Sequence, residues 1–354
     1  MTAPLLDDGS GKIAQAVLVL SEFSIQTFPE AIQNVLTALP SEARLIILTT
    51  ETVCERVRAW LEQADRNHSA QLQLMSPELN ASLWVQDPLL VRSDGAVSVS
   101  SAFDRYDDRE ATRHLIDTMK WSESEAPVHV DGGNVLVHGD VVLISADAEA
   151  ERSESSELDP SRTVLSIGTK ATCATECTRS TECPETGWQE TLDFQSAEGT
   201  HQPIFHLDHM IAPCGFDHDK PRFMVGCPRI GAKAAGHPLW AHAQAEAFDE
   251  IAQLLRGHGL AVVRNPQPLG WVDRPERTRR RWFYLPVNNV LIDGDWVLLP
   301  CFGNDAWPEF EAIDAENTRL WQDLGYCVVP IHGAMALAEA MGGPRCMVKV
   351  TERS

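Results

Sequence analysis

Five side chains in this sequence have the chemistry needed to attack a cationic carbon. They are one thiol, one imidazole and three carboxylates, and they lie at the ends of short apolar runs, where a chain turns out of a strand and presents side chains in a cleft. The motifs that contain them are Trp84-Val85-Gln86-Asp87, Asp131-Gly132-Gly133-Asn134, His206-Leu207-Asp208 and Gly342-Gly343-Pro344-Arg345-Cys346-Met347.

Asp87 and Asp208 are the predicted ligands of a guanidinium group. A guanidinium is planar, positively charged and forked, so its site needs carboxylates that accept paired N–H donors from different edges. Both aspartates are expected at strand ends rather than on a solvated helix face. Either one alone would be interpreted more simply as a cap or turn residue, and only the combination favours ligand binding.

Cys346 is the predicted nucleophile, because water attacks the resonance-stabilised carbon of a guanidinium very slowly and a thiolate attacks it faster. The thiol would need its pKa lowered by a nearby cation, which the substrate or a protonated His206 would supply. The two glycines and the proline before Cys346 can turn sharply and bring backbone close to a ligand. A single buried cysteine, by contrast, is commonly inert packing.

His206 is predicted to protonate the departing nitrogen and later to activate water, with Asp131 orienting and charging the imidazole. A lone histidine is more commonly structural, so this prediction too depends on the combination. Asn134 has two interpretations, which are contact with the substrate and completion of a turn after two glycines.

The composition describes a globular protein. The chain has 354 residues and is 44% hydrophobic, which is enough to bury a large core. Its net charge of -22, from 51 acidic and 29 basic residues, argues against nucleic acid or an anionic membrane surface as the main partner and would favour a small cation. Solubility alone is the simpler explanation of the acidity.

The first apolar run, from Ala14 to Leu20, has no basic region before it and is too short to span a bilayer. We therefore expect neither a signal peptide nor a transmembrane helix. Nine cysteines scattered over a long chain do not form the dense framework of a small secreted domain. These observations predict a cytoplasmic protein.

Apolar patterning predicts alternating strands and helices over the first eighty residues. The predicted strands are Ala16 to Leu20, Leu45 to Thr49 and Gln71 to Met75, and the predicted helices are Pro29 to Leu39 and Glu51 to Ala64. Further helices are predicted over Pro238 to Arg256, Glu309 to Leu324 and Ala334 to Ala340. The fold class is therefore α/β.

A weak internal repeat follows the motifs. The segments that begin at Asp87, Gly133 and Asn289 each have an apolar strand, an Asp-Gly or Gly-Asp turn and a second apolar strand. Modules of strand, hairpin and helix predict blades set around a centre, with function where strand ends converge. Hairpins with such turns also occur in unrelated α/β proteins.

Residues 145–200 depart from this order. They are rich in Ser, Glu and Thr, and we predict an exposed acidic insertion near the entrance to the site. The spacing of Cys173, Cys177 and Cys183 does not match the usual paired zinc ligands, which favours incidental thiols or a redox-sensitive loop over a metal site.

At its four motifs the sequence resembles the guanidino-group modifying enzymes, or penteins. This superfamily includes arginine deiminase, agmatine deiminase, dimethylarginine dimethylaminohydrolase, peptidylarginine deiminase and the amidinotransferases. Gly342 to Met347 is similar to the nucleophile segment of arginine deiminases, His206 to Asp208 to the family's His-x-Asp, and Trp84 to Asp87 to the Trp-Ile-Gln-Asp of peptidylarginine deiminases. The resemblance runs from Trp84 to Val350 in the family's order.

The resemblance implies a five-bladed pseudosymmetric α/β-propeller, one domain over residues 1–354, and a reaction without metal or organic cofactor. Cys346 would be the nucleophile, His206 the general acid and base, and Asp87 and Asp208 the guanidinium ligands. A covalent thiouronium would be hydrolysed to a ureido product plus ammonia or an amine. The expected partner is a small cationic guanidino compound of the arginine, methylarginine or agmatine type, and a homo-oligomer is left open.

Two positions depart from the family pattern. Many deiminases have glutamate at the position of Asp131, and the aspartate found here is similar to that of animal dimethylarginine dimethylaminohydrolases. Because the aspartate side chain is shorter, the backbone position must compensate. Asp208-His209-Met210 is not the usual continuation in arginine deiminases. The substrate is therefore open.

Two other functions remain open. One is an amidinotransferase, in which an amine replaces water as the acceptor, and the other is a pentein-fold binding protein without catalysis. A substrate carboxylate would need a cation, for which Arg92, Arg105 and Arg345 are candidates, although Arg345 could simply brace the backbone beside Cys346. The basic run Arg277, Arg279, Arg280 and Arg281 is predicted to be a surface loop.

Overall fold

The structure is a computed structural model. It describes residues 3–100, 105–124, 128–146, 156–169, 181–182, 187, 189–192, 203–204, 206–236, 245–304 and 306–354. Cys173, Cys177 and Cys183 lie outside these residues, as do most of 170–200 and all of 237–244.

The described chain is an α/β protein with short strands. The strands are β1 (Ile13–Leu20), β2 (Arg44–Thr49), β3 (Ala70–Leu74), β4 (Leu89–Val91), β5 (Val97–Val99), β6 (Val135–His138), β7 (Val141–Ser145), β8 (Thr163–Ile167), β9 (Thr181–Glu182), β10 (Gln189–Leu192), β11 (Ile211–Asp217), β12 (Lys220–Cys227), β13 (Ala261–Pro266), β14 (Leu269–Arg274), β15 (Arg279–Tyr284), β16 (Leu291–Asp293), β17 (Trp296–Pro300), β18 (Cys327–Ile331) and β19 (Lys349–Arg353).

The helices connect these strands. The α-helices are Glu22–Thr27, Pro29–Ala38, Glu51–Gln63, Tyr106–Met119, Pro228–Ala235, Ala245–Gly257, Glu311–Asp323 and Ala334–Glu339, and short 3-10 turns cover Gly132–Asn134, Leu207–His209, Pro275–Arg277 and Pro308–Phe310. The strands and helices predicted over the first eighty residues are confirmed, with small shifts at their ends. The two helices predicted after residue 300 are also confirmed. Of the helix predicted over Pro238 to Arg256, residues 245–256 lie in the helix that ends at Gly257, and 238–244 lie outside the described residues.

One strand order recurs in five units. In β6-β7-β8, β11-β12-β13 and β16-β17-β18 the first two strands pair antiparallel and the third pairs parallel to the second. The last strand of the chain completes the first unit, because β19 pairs antiparallel with β1, which pairs parallel with β2. In the remaining unit β4 and β5 pair antiparallel, and Val97 forms a parallel bridge with Glu123. The three predicted hairpins are therefore confirmed.

Parallel strand pairs require crossovers, and helices supply several of them. Pro29–Ala38 lies between β1 and β2, and Ala245–Gly257 lies between β12 and β13. In the first of these helices Ala31, Ile32, Val35 and Leu36 are buried, a spacing that directs one apolar face against the sheet. The core consequently lies as separate apolar clusters between the sheets and the helices that cover them.

Two predictions about exposed segments need correction. The expected insertion over 145–200 contains β8, which pairs parallel with β7, and β10, which pairs parallel with β15. The basic run is not simply a loop, since Arg279, Arg280 and Arg281 form the start of β15. Arg280 contacts Asp273 of β14 at 2.7 Å, so charge pairing across the hairpin accommodates this basic strand.

None of the helices in the described ranges combines the length and apolar character needed to cross a bilayer.

Candidate active site

The site is built from five equivalent loops. Each unit contributes the segment just before the first strand of its antiparallel pair. The loops carry Asp87 before β4, Asp131 before β6, Asp208 before β11, Asn289 before β16 and Cys346 before β19. The strand order thus brings residues far apart in sequence to one place.

Hydrogen bonds join these loops in a closed cycle. The contacts are Gln86 N to Cys346 O at 3.1 Å, Gly132 N to Asp87 O at 2.8 Å, Leu207 N to Asn134 Oδ1 at 3.2 Å, Asn288 Nδ2 to Met210 O at 2.8 Å and Arg345 N to Asn289 Oδ1 at 2.8 Å. Every loop is held by its two neighbours, which fixes the geometry of the side chains that the loops carry.

The two glycines of the Asp131 motif are required by close packing. A Cβ on Gly133 would lie 2.3 Å from His206 Nδ1, and one on Gly132 would lie 2.0 Å from the carbonyl oxygen of Gln86. Only residues without a side chain let this loop approach its neighbours so closely.

Cys346 is buried at the centre of the site. Asn289 Nδ2 donates to its sulfur at 3.1 Å, and the sulfur lies 4.0 Å from Asp208 Oδ2. Burial, followed by the charges of Asp208 and Asp87, raises the pKa of the Cys346 thiol well above its ordinary value. The thiol is therefore protonated in this state, and a cation placed between the two carboxylates would lower its pKa.

His206 lies between two carboxylates. Its Nδ1 is 3.7 Å from Asp87 Oδ1, and its Nε2 is 3.8 Å from Asp131 Oδ2. Burial acts to lower the pKa of the imidazole, but the opposing effects of Asp87, Asp131 and Asp208 are larger, and the pKa of His206 is raised above 6.5. The imidazole therefore stays protonated to a higher pH than an ordinary histidine does, as a proton donor requires.

Asp87 is buried beside this imidazole. Burial raises its pKa to about 6, with Asp208 adding to the increase and His206 and Arg105 opposing it. Its Oδ2 accepts from Arg105 at 3.0 Å, whereas no hydrogen-bond donor reaches its Oδ1 from the residues that the structure describes. A buried carboxylate oxygen without a donor is costly, and a cationic ligand would satisfy it.

Asp208 is also buried, and only one of its two carboxylate oxygens accepts a hydrogen bond from the described residues. Its Oδ2 accepts from Arg345 Nη1 at 2.6 Å, and the same guanidinium contacts Asp8 at 2.9 Å. Within the described part of the chain, Asp208 Oδ1 has no hydrogen-bond donor, and the same holds for Asp131 Oδ1. Three carboxylates therefore each keep one acceptor oxygen unused around Cys346 and His206.

A second imidazole, that of His209, contacts the thiol. Its Nε2 lies 3.5 Å from Cys346 Sγ and 3.7 Å from Asp208 Oδ1. Burial lowers the pKa of His209 to about 4, assisted by the positive charges of His206 and Arg345 and opposed by Asp208. Near neutral pH, the His209 ring is therefore neutral and the His206 ring is charged.

Four donor atoms, one each from His206, Asp208, His209 and Cys346, lie within 4.8 Å of one another. Such donor types also bind metal ions, but here Arg345 already pairs with Asp208 at 2.6 Å. A fixed guanidinium beside the cluster opposes a divalent ion.

The structure brings together five of the six predicted site residues around one point, namely Cys346, His206, Asp131, Asp87 and Asp208. The sixth, Asn134, closes the turn to Asp131 through its backbone and accepts a hydrogen bond from Leu207 N through its side chain. It therefore links two loops of the site.

The three arginines proposed for a substrate carboxylate all have protein partners. Arg92 is buried and donates to the carbonyls of Ala3 and Leu158, and Arg345 is buried against Asp208 and Asp8. Arg105 contacts Asp87. The bracing role considered for Arg345 matches its contacts.

Two residues of the site escaped the sequence analysis. His209 appeared there only as a departure from a family pattern, and Asn289 only as the start of a hairpin. Asn289 precedes β16 as Asp87 precedes β4, so its position in the repeat was the available signal.

No protein-family model matches this sequence, and no curated protein matches it. Solved structures with this fold do match, and they confirm at the level of fold the resemblance seen in the motifs.

Two solved structures carry this comparison. The agmatine deiminase of Enterococcus faecalis is 14% identical to this chain, with a TM-score of 0.64 over 99% of this chain and 96% of its own. A structural-genomics target assigned as an agmatine deiminase is 12% identical, with the same TM-score and coverage. Identities this low establish the shared fold alone.

Proposed function

We propose that this protein is a cysteine-dependent hydrolase of a guanidino compound. The observation that carries the proposal is a set of buried carboxylate oxygens, on Asp87, Asp131 and Asp208, to which none of the described residues donates a hydrogen bond. These oxygens surround a buried thiol and a charged imidazole. A guanidinium has five N–H donors in one plane and a positive charge, so it would satisfy these acceptors.

Substrate binding would itself activate the nucleophile. The substrate's charge offsets those of Asp208 and Asp87, which raise the pKa of the thiol in the unliganded protein. Cys346 then attacks the guanidinium carbon, His206 gives its proton to the departing nitrogen, and ammonia or an amine leaves. A thiouronium remains on the sulfur.

The second half-reaction reverses the role of His206. The imidazole, now neutral, takes a proton from water as the water oxygen adds to the same carbon. The C–S bond breaks, the thiol is restored, and a ureido product leaves. Asp131, 3.8 Å from His206 Nε2, stabilises the charged imidazole in both steps.

The five units with a common strand order would be the blades of a five-bladed propeller. The closed cycle of hydrogen bonds between the five loops supports this arrangement, with the active site where the loops converge.

Among guanidino compounds, the contacts of the arginines favour a substrate of the agmatine type, without an α-carboxylate. Arg92 and Arg345 are buried in contacts with protein acceptors, and Arg105 lies against Asp87 and Asp108. A carboxylate on the substrate would have to compete for these partners.

Product analysis tests the proposal. The purified protein is incubated with agmatine, arginine, methylated arginines, guanidino acids and a peptidyl-arginine, each with and without glycine as an amine acceptor. A ureido product with free ammonia or methylamine from wild type, and none from Cys346→Ala, is the expected result.

The other outcomes identify the alternatives. A new guanidine that forms only with glycine would show an amidinotransferase. Tight binding of a guanidine without turnover, unchanged in Cys346→Ala, would show a binding protein.

A further inference from the structure

The thiol of Cys346 must lose its proton before or during its attack on a substrate. Cys346 is 2% exposed and carries a thiol whose pKa is raised, so its proton must move to another group as the sulfur attacks. A thiolate formed here without a base beside it would be both buried and next to the carboxylates of Asp208 and Asp87. A neighbouring side chain must accept the proton.

His206 is poorly placed to accept it. Asp87 and Asp131 flank its two nitrogens at 3.7 and 3.8 Å and keep the imidazole protonated. A protonated imidazole has no free lone pair, and this proton is the one that the leaving nitrogen needs.

His209 is in the right position and the right state. Its Nε2 lies 3.5 Å from Cys346 Sγ, and its side chain is 3% exposed. The groups that face it are Asp208, His206, Arg345 and the thiol itself. Because burial and the two cations keep the ring neutral, one nitrogen carries a lone pair that can accept the thiol proton.

We propose that His209 is a second catalytic imidazole, which takes the proton of Cys346 as the sulfur attacks and returns it when the C–S bond breaks. This inference rests on the proposed guanidine hydrolysis. It divides the chemistry between two histidines, with His209 serving the sulfur and His206 serving the leaving nitrogen and the water.

The steps balance. The S–H bond breaks and its proton goes to His209 Nε2, while the sulfur electron pair forms the S–C bond and the C=N π pair moves to nitrogen. The proton of His206 then goes to the departing nitrogen, whose C–N bond breaks with its electrons, leaving a cationic thiouronium. Water adds its oxygen to carbon and its proton to His206. Finally the C–S electrons return to sulfur, which takes its proton from His209, and the protonated ureido product gives its extra proton to ammonia.

The charge of the substrate makes the transfer feasible. Once the S–C bond forms, the guanidinium becomes a neutral tetrahedral adduct. The new imidazolium of His209 therefore faces no added cation, and Asp208 Oδ1 at 3.7 Å stabilises it. Proton transfer and attack are expected to occur together.

Alkylation by iodoacetamide tests the pair without any turnover. The rate at Cys346 is followed by mass spectrometry of its peptide at pH values above the pKa of Asp87, about 6, and up to the ordinary thiol value of 9.0. His209, with a pKa of about 4, is neutral throughout this interval. A thiol with a neutral imidazole holds the same number of protons as a thiolate with an imidazolium. The wild-type rate is therefore expected to be independent of pH across this interval.

Removing the base should restore simple thiol behaviour. In His209→Gln the rate is expected to rise about tenfold per pH unit, following the thiolate fraction. Near neutral pH it should lie about 10²-fold or more below wild type. His68→Gln, a substitution of an exposed histidine, is the matched control and should keep the flat profile.

A wild-type rate that rises with pH, or a flat profile in His209→Gln, would overturn the inference. If His209→Gln fails to fold, His209→Asn replaces it, and the wild-type profile decides alone if neither folds. The profile also separates this inference from the proposed function. A flat profile without turnover of any guanidine contradicts the hydrolase, whereas turnover with a rising profile contradicts the role of His209.

Discussion

Asn289 holds Cys346 through both ends of its side-chain amide. Its Oδ1 accepts from the backbone amide of Cys346 at 3.1 Å, and also from that of Arg345, while its Nδ2 lies 3.1 Å from Cys346 Sγ. The residue is fully buried. One side chain therefore fixes both the backbone of the nucleophile loop and the position of the sulfur.

Asn289→Ala should lose stability and activity together. The substitution leaves two buried backbone N–H groups without an acceptor, at about 1–3 kcal/mol each. Denaturant unfolding measures this loss. Asn34→Ala, on a partly exposed helix face, is the control and should change the free energy of unfolding by less than about 0.5 kcal/mol. Equal losses in both variants would contradict the role assigned to Asn289.

Arg345→Met should be strongly destabilising. The guanidinium is buried between Asp208 and Asp8, at 2.6 and 2.9 Å, and its loss leaves two carboxylates without their cation. Breaking such a buried pair costs about 3–5 kcal/mol. The exposed pair of Arg319 with Glu316 is the matched control, and Arg319→Met should cost at most about 1 kcal/mol. An Arg345→Met protein as stable as this control would contradict the prediction.

Asp87→Asn should stabilise the protein while it weakens substrate binding. The pKa of Asp87 is raised from 3.8 to about 6, so its ionised form is disfavoured by burial at neutral pH. A neutral side chain of the same shape avoids up to about 3 kcal/mol of this cost. Thermal unfolding should show a higher Tm, and the KM for the guanidine should rise. A lower Tm would show that Asp87 is primarily structural.

The pH dependence of kcat/KM should be bell-shaped. Asp87 must be ionised to bind a guanidinium, which places the acid limb near pH 6. His206 must be protonated to act as an acid, so the alkaline limb lies above 6.5. The two groups interact, so these limbs belong to the cluster as a whole. A rate that increases steadily to high pH would contradict a protonated His206.

The pKa shifts of Asp87 and His206 also determine whether the free energy of unfolding rises or falls with pH. With a raised pKa, Asp87 binds protons more tightly in the folded than in the unfolded chain, so stability falls as pH rises from 3.8 through about 6. The raised pKa of His206 contributes stability below 6.5, and this contribution is lost as pH rises through the folded-state pKa. Denaturant unfolding across this pH range, in wild type and in Asp87→Asn, measures both.

Gly133→Ala should inactivate the protein by moving His206. The added Cβ would lie 2.3 Å from His206 Nδ1, so the ring or the loop must shift. A displacement of about 1 Å in a catalytic group costs about 10²-fold in rate. Gly257→Ala is the control, since nothing lies within 4 Å of its added Cβ. Full activity in Gly133→Ala would mean that the position of His206 is not critical.

Local patterns in the sequence predicted much of the fold. The hairpins beginning near Asp87, Gly133 and Asn289 are each encoded by two short apolar runs joined by a Gly-Asp or Asp-Gly turn, so they could be predicted without any distant contact. The helices over Pro29–Ala38 and Glu51–Gln63 could be predicted in the same way, because their apolar residues recur with the helical period. The strand β10 was missed because its pairing with β15 is set by a distant segment.

The motifs by themselves determined which residue types could do chemistry at Cys346, His206, Asp131, Asp87 and Asp208. Only the tertiary structure decided that His209 reaches the sulfur, that Asn289 holds it, and that Arg345 is engaged with Asp208 and Asp8. The reason is that these contacts join loops from different units of the fold. Their geometry depends on how β19 closes onto β1 and on the hydrogen-bond cycle between loops, neither of which leaves a local pattern in the chain.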